Sequence, residues 1–94
     1  MKKMFDISDF VDVLTTDRVK VLLVERFKKR RKEAGFSQQE LAKRSAVSYG
    51  SIRRFESTGE ISLSSLLKLA QEVGCLEDFN ELFKYEVLSN IKWG

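Results

Sequence analysis

The stretch Gly35-Phe36-Ser37-Gln38-Gln39-Glu40-Leu41-Ala42-Lys43-Arg44-Ser45-Ala46-Val47-Ser48-Tyr49-Gly50-Ser51-Ile52-Arg53-Arg54-Phe55-Glu56 decides the fold. Ser37 and Glu40 have the spacing of a capping box: the Ser37 hydroxyl accepts the amide proton of residue 40, and the Glu40 carboxylate accepts that of Ser37. Phe36 and Leu41 sit where a hydrophobic staple belongs, so a helix starts here. It turns Leu41, Ala42 and Ser45 inward and Lys43 and Arg44 toward solvent. After about two turns the same pattern returns, with Val47 as the staple residue, Ser48 as N-cap, Ile52 as the staple partner and Phe55 completing a buried face. This second helix spans about 48–57.

Upstream, Val19, Leu22, Leu23, Phe27 and Ala34 recur at helical spacing, followed by the basic run Lys28-Lys29-Arg30-Arg31-Lys32 and a stop at Gly35, which places a helix over 17–34. Downstream, Ile61, the cap Ser62 and Leu66 repeat the pattern a third time. Leu63, Leu66, Leu67, Ala70 and Val73 make an apolar stripe that ends at Gly74, and Leu76, Phe79, Leu82 and Phe83 form a last short helix. The expectation is an all-α domain of five helices over 17–84. Met4, Ile7, Val11 and Leu14 have the spacing of a short amphipathic helix in an N-terminal extension, 1–16. The tail, 85–94, with Tyr85, Val87, Ile91 and Trp93, reads as an added strand or a docking arm. The two helices of the central stretch are joined by a short turn at Ser45-Ala46-Val47, with small residues at Ala42 and Ser45 where they approach, and this is the geometry of a helix-turn-helix.

The chain has 94 residues, 43% hydrophobic and 33% charged, enough for one compact core. It has no histidine, and the lone Cys75 provides neither an internal disulfide nor a thiolate metal cluster. No paired carboxylates, no nucleophile with its base and no phosphate-cradling glycine loop are present, so no catalytic residue, metal or cofactor is expected. Cys75, at a helix start, reads as a small buried or cap-adjacent residue rather than a reactive thiol. Uncharged stretches fall short of the ~18 apolar residues of a membrane span, and the start lacks the apolar core of a signal peptide; a cytoplasmic protein is expected. Charge is strongly segregated. Residues 18–54 carry twelve Lys or Arg against three Glu, a net +9, whereas 1–17 is −2 and 55–94 is −4. A basic middle between acidic flanks points to a polyanion, and nucleic acid leads.

With the residues in view, Gly35 to Glu56 closely resembles the Xre-type family of phage and bacterial repressors, the lambda-repressor-like fold. The resemblance covers about 18–83 and rests on Gln38, Leu41, Ala42, Val47, Ile52, Phe55 and Glu56 with the five-helix layout. It implies double-stranded DNA as partner, with the second helix of the motif in the major groove. The reading role then falls on Tyr49, Gly50, Arg53 and Arg54. Arg54 is the best base reader, since a guanidinium donates two parallel bonds to guanine, and Arg53 is nearer a phosphate role. Gln38, at the positive end of its helix, is a phosphate candidate by the resemblance. Ser37, Lys43, Arg44, Ser48 and Ser51 are secondary phosphate candidates. Arg31 and Glu56 hold positions that in many family members form a structural ion pair. The run from Lys28 to Lys32 reads mainly as a solvated face that adds long-range attraction. Ala46 stands where the family usually has glycine with positive φ, at a cost of ~1 kcal/mol, so some relaxation of the turn is expected.

A lone module of this size selects DNA weakly, so a homodimer reading two half-sites is expected, with the terminal segments as its contact. The ending Leu76-Glu77-Asp78-Phe79-Asn80-Glu81-Leu82-Phe83, without an effector domain, resembles small HipB-like antitoxins. That likeness implies a HipA-type kinase toxin as partner. The alternative is a protein-interaction adaptor that uses the helical domain as scaffold.

Overall fold

The computed structural model describes residues 13–86, and among them all regular structure is helical. Five helices follow in order: α1 Thr16–Glu33, α2 Gln38–Ser45, α3 Tyr49–Thr58, α4 Leu63–Glu72 and α5 Leu76–Asn80. Each of the first four starts on a hydroxyl cap. Thr15, Ser37, Ser48 and Ser62 accept the amide protons of Arg18, Glu40, Ser51 and Ser65 at 3.0–3.1 Å, which satisfies donors that a helix start would otherwise leave free. Glu40 also accepts from the Ser37 amide at 2.9 Å, completing the capping box.

Glycines at positive φ, Gly35, Gly59 and Gly74, follow α1, α3 and α4. After α1, the Gly35 amide donates to the Lys32 carbonyl and that of Phe36 to Arg31; after α4, Gly74 and Cys75 make the same pair of bonds to Gln71 and Ala70. Both are Schellman ends, which need a left-handed residue. The turn between α2 and α3 also uses a left-handed residue, here an alanine with a single backbone bond in place of the Schellman pair. Contrary to the relaxation expected of it, Ala46 sits at φ 64°, ψ 21°, fully left-handed, with its amide bonded to the Ala42 carbonyl. The buried Ser45 hydroxyl accepts from the Val47 amide at 3.1 Å and holds the turn closed.

The α2–α3 pair packs on α1 through α3 and on α4 through α2. Val24, Phe27, Leu41, Val47, Ile52, Phe55, Leu69 and Val73 form the core, with Leu41, Ile52 and Leu69 wholly inaccessible. The Phe27 and Phe55 rings meet edge to face at 5.3 Å, joining α1 to α3.

Two phases of the sequence reading need correction. On α1 Val24 is buried together with the expected Phe27, while Leu23 and Ala34 are exposed; on α4 Leu69 is buried together with the expected Ala70, while Leu63 lies at the surface. On α1 the apolar residues Val21 to Val24 are consecutive, and on α4 the leucines at 63, 66, 67 and 69 cover more than one face, so only the partner helix selects the phase. The last helix is also shorter than expected. It ends at Asn80, so Leu82 and Phe83 lie beyond it, exposed, with Phe83 at φ 67°. Leu14 is exposed, and the rest of the amphipathic segment, with most of the tail, lies outside the described residues.

Candidate nucleic-acid interface

The exposed side of α3 is built by what the buried side excludes. Ile52, Phe55 and Glu56 face inward, which turns Gly50, Arg53, Arg54 and Ser57 outward along the opposite face. These four residues line an open cleft of about 710 Å³ with Lys28, Arg31, Gln38 and Glu56. A Cβ placed on Gly50 would meet nothing within 4 Å beyond its chain neighbours and the backbone of its own helix, so the helix is bare at that point.

At the base of the cleft is a buried polar network. The Arg31 guanidinium donates from Nε to Glu56 Oε2 at 2.8 Å and from Nη2 to Oε1 at 2.9 Å, and its Nη1 donates to the Phe36 carbonyl at 2.9 Å. Gln38 Nε2 donates to Glu56 Oε1 at 2.8 Å. Arg31 and Glu56 are both buried, and a buried carboxylate with these three donors is fully compensated. One acid thus ties together α1, the start of α2 and the last turn of α3. Arg31 is spent within the fold, leaving Lys28, Arg53 and Arg54 as the cations of the cleft without a carboxylate within 4.0 Å among the described residues.

A family described as helix-turn-helix matches residues 27–79, more than half of the chain, from the middle of α1 into α5. The chain belongs to this Xre and lambda-repressor-like helix-turn-helix family. No curated protein and no solved structure matches it. As a member, it is a DNA-binding transcription regulator of the helix-turn-helix kind, a class that is typically non-enzymatic. No helix among the described residues is long and apolar enough to cross a membrane, and no group of metal-ligating side chains is found among them.

On this helix-turn-helix, Gln38, Gly50, Arg53 and Arg54 come together at one cleft. Tyr49 stands beside them, 39% exposed, with the Arg53 guanidinium 5.5 Å above its ring centre, a stacking that holds both side chains along the α3 surface. Ser48 and Ser51 are engaged at the α3 cap, their hydroxyls 2.9 Å apart. Lys43 and Arg44 are exposed on α2 and neither lines the cleft; the Arg44 guanidinium lies over the Phe36 ring at 4.7 Å. Lys28 is the cleft residue that the sequence reading left within a solvated run. Its signal was the three-residue spacing to Arg31, which puts both on one face of α1.

Outside the cleft, Lys20 pairs with Glu60 and anchors α1 to the loop after α3. The Lys20 hydrogen bond holds the Glu60 carboxyl below the usual carboxylate range, and Glu60 in turn raises the Lys20 ammonium. Burial pushes the Cys75 thiol up, which suits an inert residue.

Proposed function

We propose that this protein is a sequence-specific repressor that binds an inverted-repeat operator as a homodimer, with α3 of each copy in the major groove. The observation that carries this reading is the pair of exposed guanidiniums of Arg53 and Arg54 on α3 beside the bare backbone of Gly50. A guanidinium offers two parallel donors to guanine O6 and N7, which Arg54 uses as base reader. Arg53, stacked on Tyr49, reaches a phosphate or the adjacent base, and Gly50 lets the helix sit close to the bases. Gln38, Ser37, Ser48, Ser51, Lys43 and Arg44 supply secondary backbone contacts. Two copies are needed because one small module discriminates poorly among genomic sites.

Selection from a random duplex pool at low and moderate salt tests the reading. Recovery of an inverted repeat, with half-sites about one helical turn apart and binding that survives moderate salt, is the expected result. Binding that vanishes with salt and returns no motif overturns it.

Partnership with a HipA-type kinase is favoured by one further observation. Leu76, Leu82 and Phe83 are exposed and none lines the cleft, and they stand in sequence among the acids Glu77, Asp78 and Glu81. Retention of such a kinase on the purified protein supports the antitoxin role, and its absence removes it.

A further inference from the structure

The five cations from Lys28 to Lys32 occupy consecutive positions of α1, so the helix sends them in different directions. Lys29, Arg30 and Lys32 are exposed and none lines the cleft; Arg30 has Glu33 at 3.8 Å. Arg31 faces the cleft but is buried, with bonds to Glu56 and to the Phe36 carbonyl. Lys28 alone is half-buried, faces the cleft and has no carboxylate within 4.0 Å among the described residues. Lys20, further up the same helix, has Glu60. Glu25 and Asp17 share the adjoining groove with Lys28 without pairing to it, and Glu56 is already satisfied by Arg31 and Gln38.

We infer that Lys28 is a further DNA-contacting residue, donating from its ammonium to a backbone phosphate beside the groove that α3 enters. This rests on the DNA-binding reading above and extends the contact surface from the helix-turn-helix to α1. An ammonium is a compact point charge with rotatable donors and no planar fork, so it suits a single phosphate oxygen rather than a base edge. The half-buried stem limits the directions in which that charge can swing, and the side it faces is the one shared with Gly50, Arg53 and Arg54.

The test is the salt dependence of binding of the full chain to a labelled duplex between about 50 and 200 mM salt, for wild type, Lys28→Gln, Lys28→Arg and the same-charge control Lys29→Gln. Each neutralised phosphate contributes about 0.9 to the slope of log affinity against log salt concentration. Lys28→Gln is expected to lower that slope by about 0.9, to weaken binding equally across sequences, and to keep the wild-type melting temperature. Lys28→Arg is expected to restore the slope, and Lys29→Gln to leave it near wild type. Equal slopes for wild type and Lys28→Gln overturn the inference. So do equal losses in Lys28→Gln and Lys29→Gln, which mean long-range attraction only, and so does a changed preference at one base pair, which means base contact. A wild type that fails to bind any duplex overturns the DNA-binding reading itself, and it shows before any variant is compared.

Discussion

The Arg31 guanidinium and the Glu56 carboxylate face each other in the interior, joined by hydrogen bonds of 2.8 and 2.9 Å between α1 and α3. Removing one partner leaves the other charge buried and unpaired, and such losses run to about 3–5 kcal/mol. Glu56→Leu or Arg31→Met is therefore expected to lower stability by that order in urea unfolding. The double variant should recover much of it. A single variant as stable as wild type would show that solvent reaches the pair.

Ala46 makes a prediction of opposite sign. Its φ of 64° is left-handed, where an alanine Cβ crowds the backbone and a glycine does not. Ala46→Gly is expected to stabilise the fold by about 1 kcal/mol, reduced by the extra freedom of glycine in the unfolded chain. Differential calorimetry reads it as a raised melting temperature, and a lowered one contradicts the strain.

Gly50 separates stability from binding. It has ordinary helical backbone and open space where a Cβ would go, so Gly50→Ala is expected to raise stability by up to ~1 kcal/mol. DNA affinity should fall, because the added methyl stands where the groove floor approaches. A variant that is more stable and binds equally well would place the DNA elsewhere.

Two exposed carboxylates shape the acid limb. Glu40 is held below its ordinary 4.5 chiefly by its bond to the Ser37 backbone, and Glu60 by its hydrogen bond to Lys20. A carboxyl depressed in the fold contributes stability that is present above its unfolded value and lost as pH falls through its folded value. Stability should therefore decline below about pH 4.5, and Glu40→Gln and Glu60→Gln should each make that decline shallower. A limb of unchanged steepness in both contradicts the assignment.

The helix starts were legible because caps and staples are local: Ser37 with Glu40, and Ser48 with Val47 and Ile52, carry their meaning within a few residues. The inward choice of Val24 over Leu23, and of Leu69 over Leu63, was not, since the consecutive apolar residues of α1 and the leucines spread round α4 leave the helical phase open until another helix packs. The split of the basic run into buried Arg31, cleft-facing Lys28 and solvated neighbours depends on where α3 crosses α1. So does the bond between Gln38 and Glu56, eighteen residues apart. Ala46 kept its left-handed conformation because a short turn between two packed helices leaves the backbone no other path, and core burial outweighs the local strain.

The central claim is that α3 enters DNA, and it is tested most directly by fluorescence anisotropy of a labelled duplex with wild type and Arg53→Ala/Arg54→Ala, circular dichroism serving as the folding control. Both arginines are exposed and hold no ion pair within the described residues, so the double variant should melt like wild type. Its affinity is expected to fall by about 2–4 kcal/mol, roughly 30- to 700-fold. A folded double variant that binds the duplex as wild type does would contradict the account and leave the helix-turn-helix as a scaffold for a protein partner.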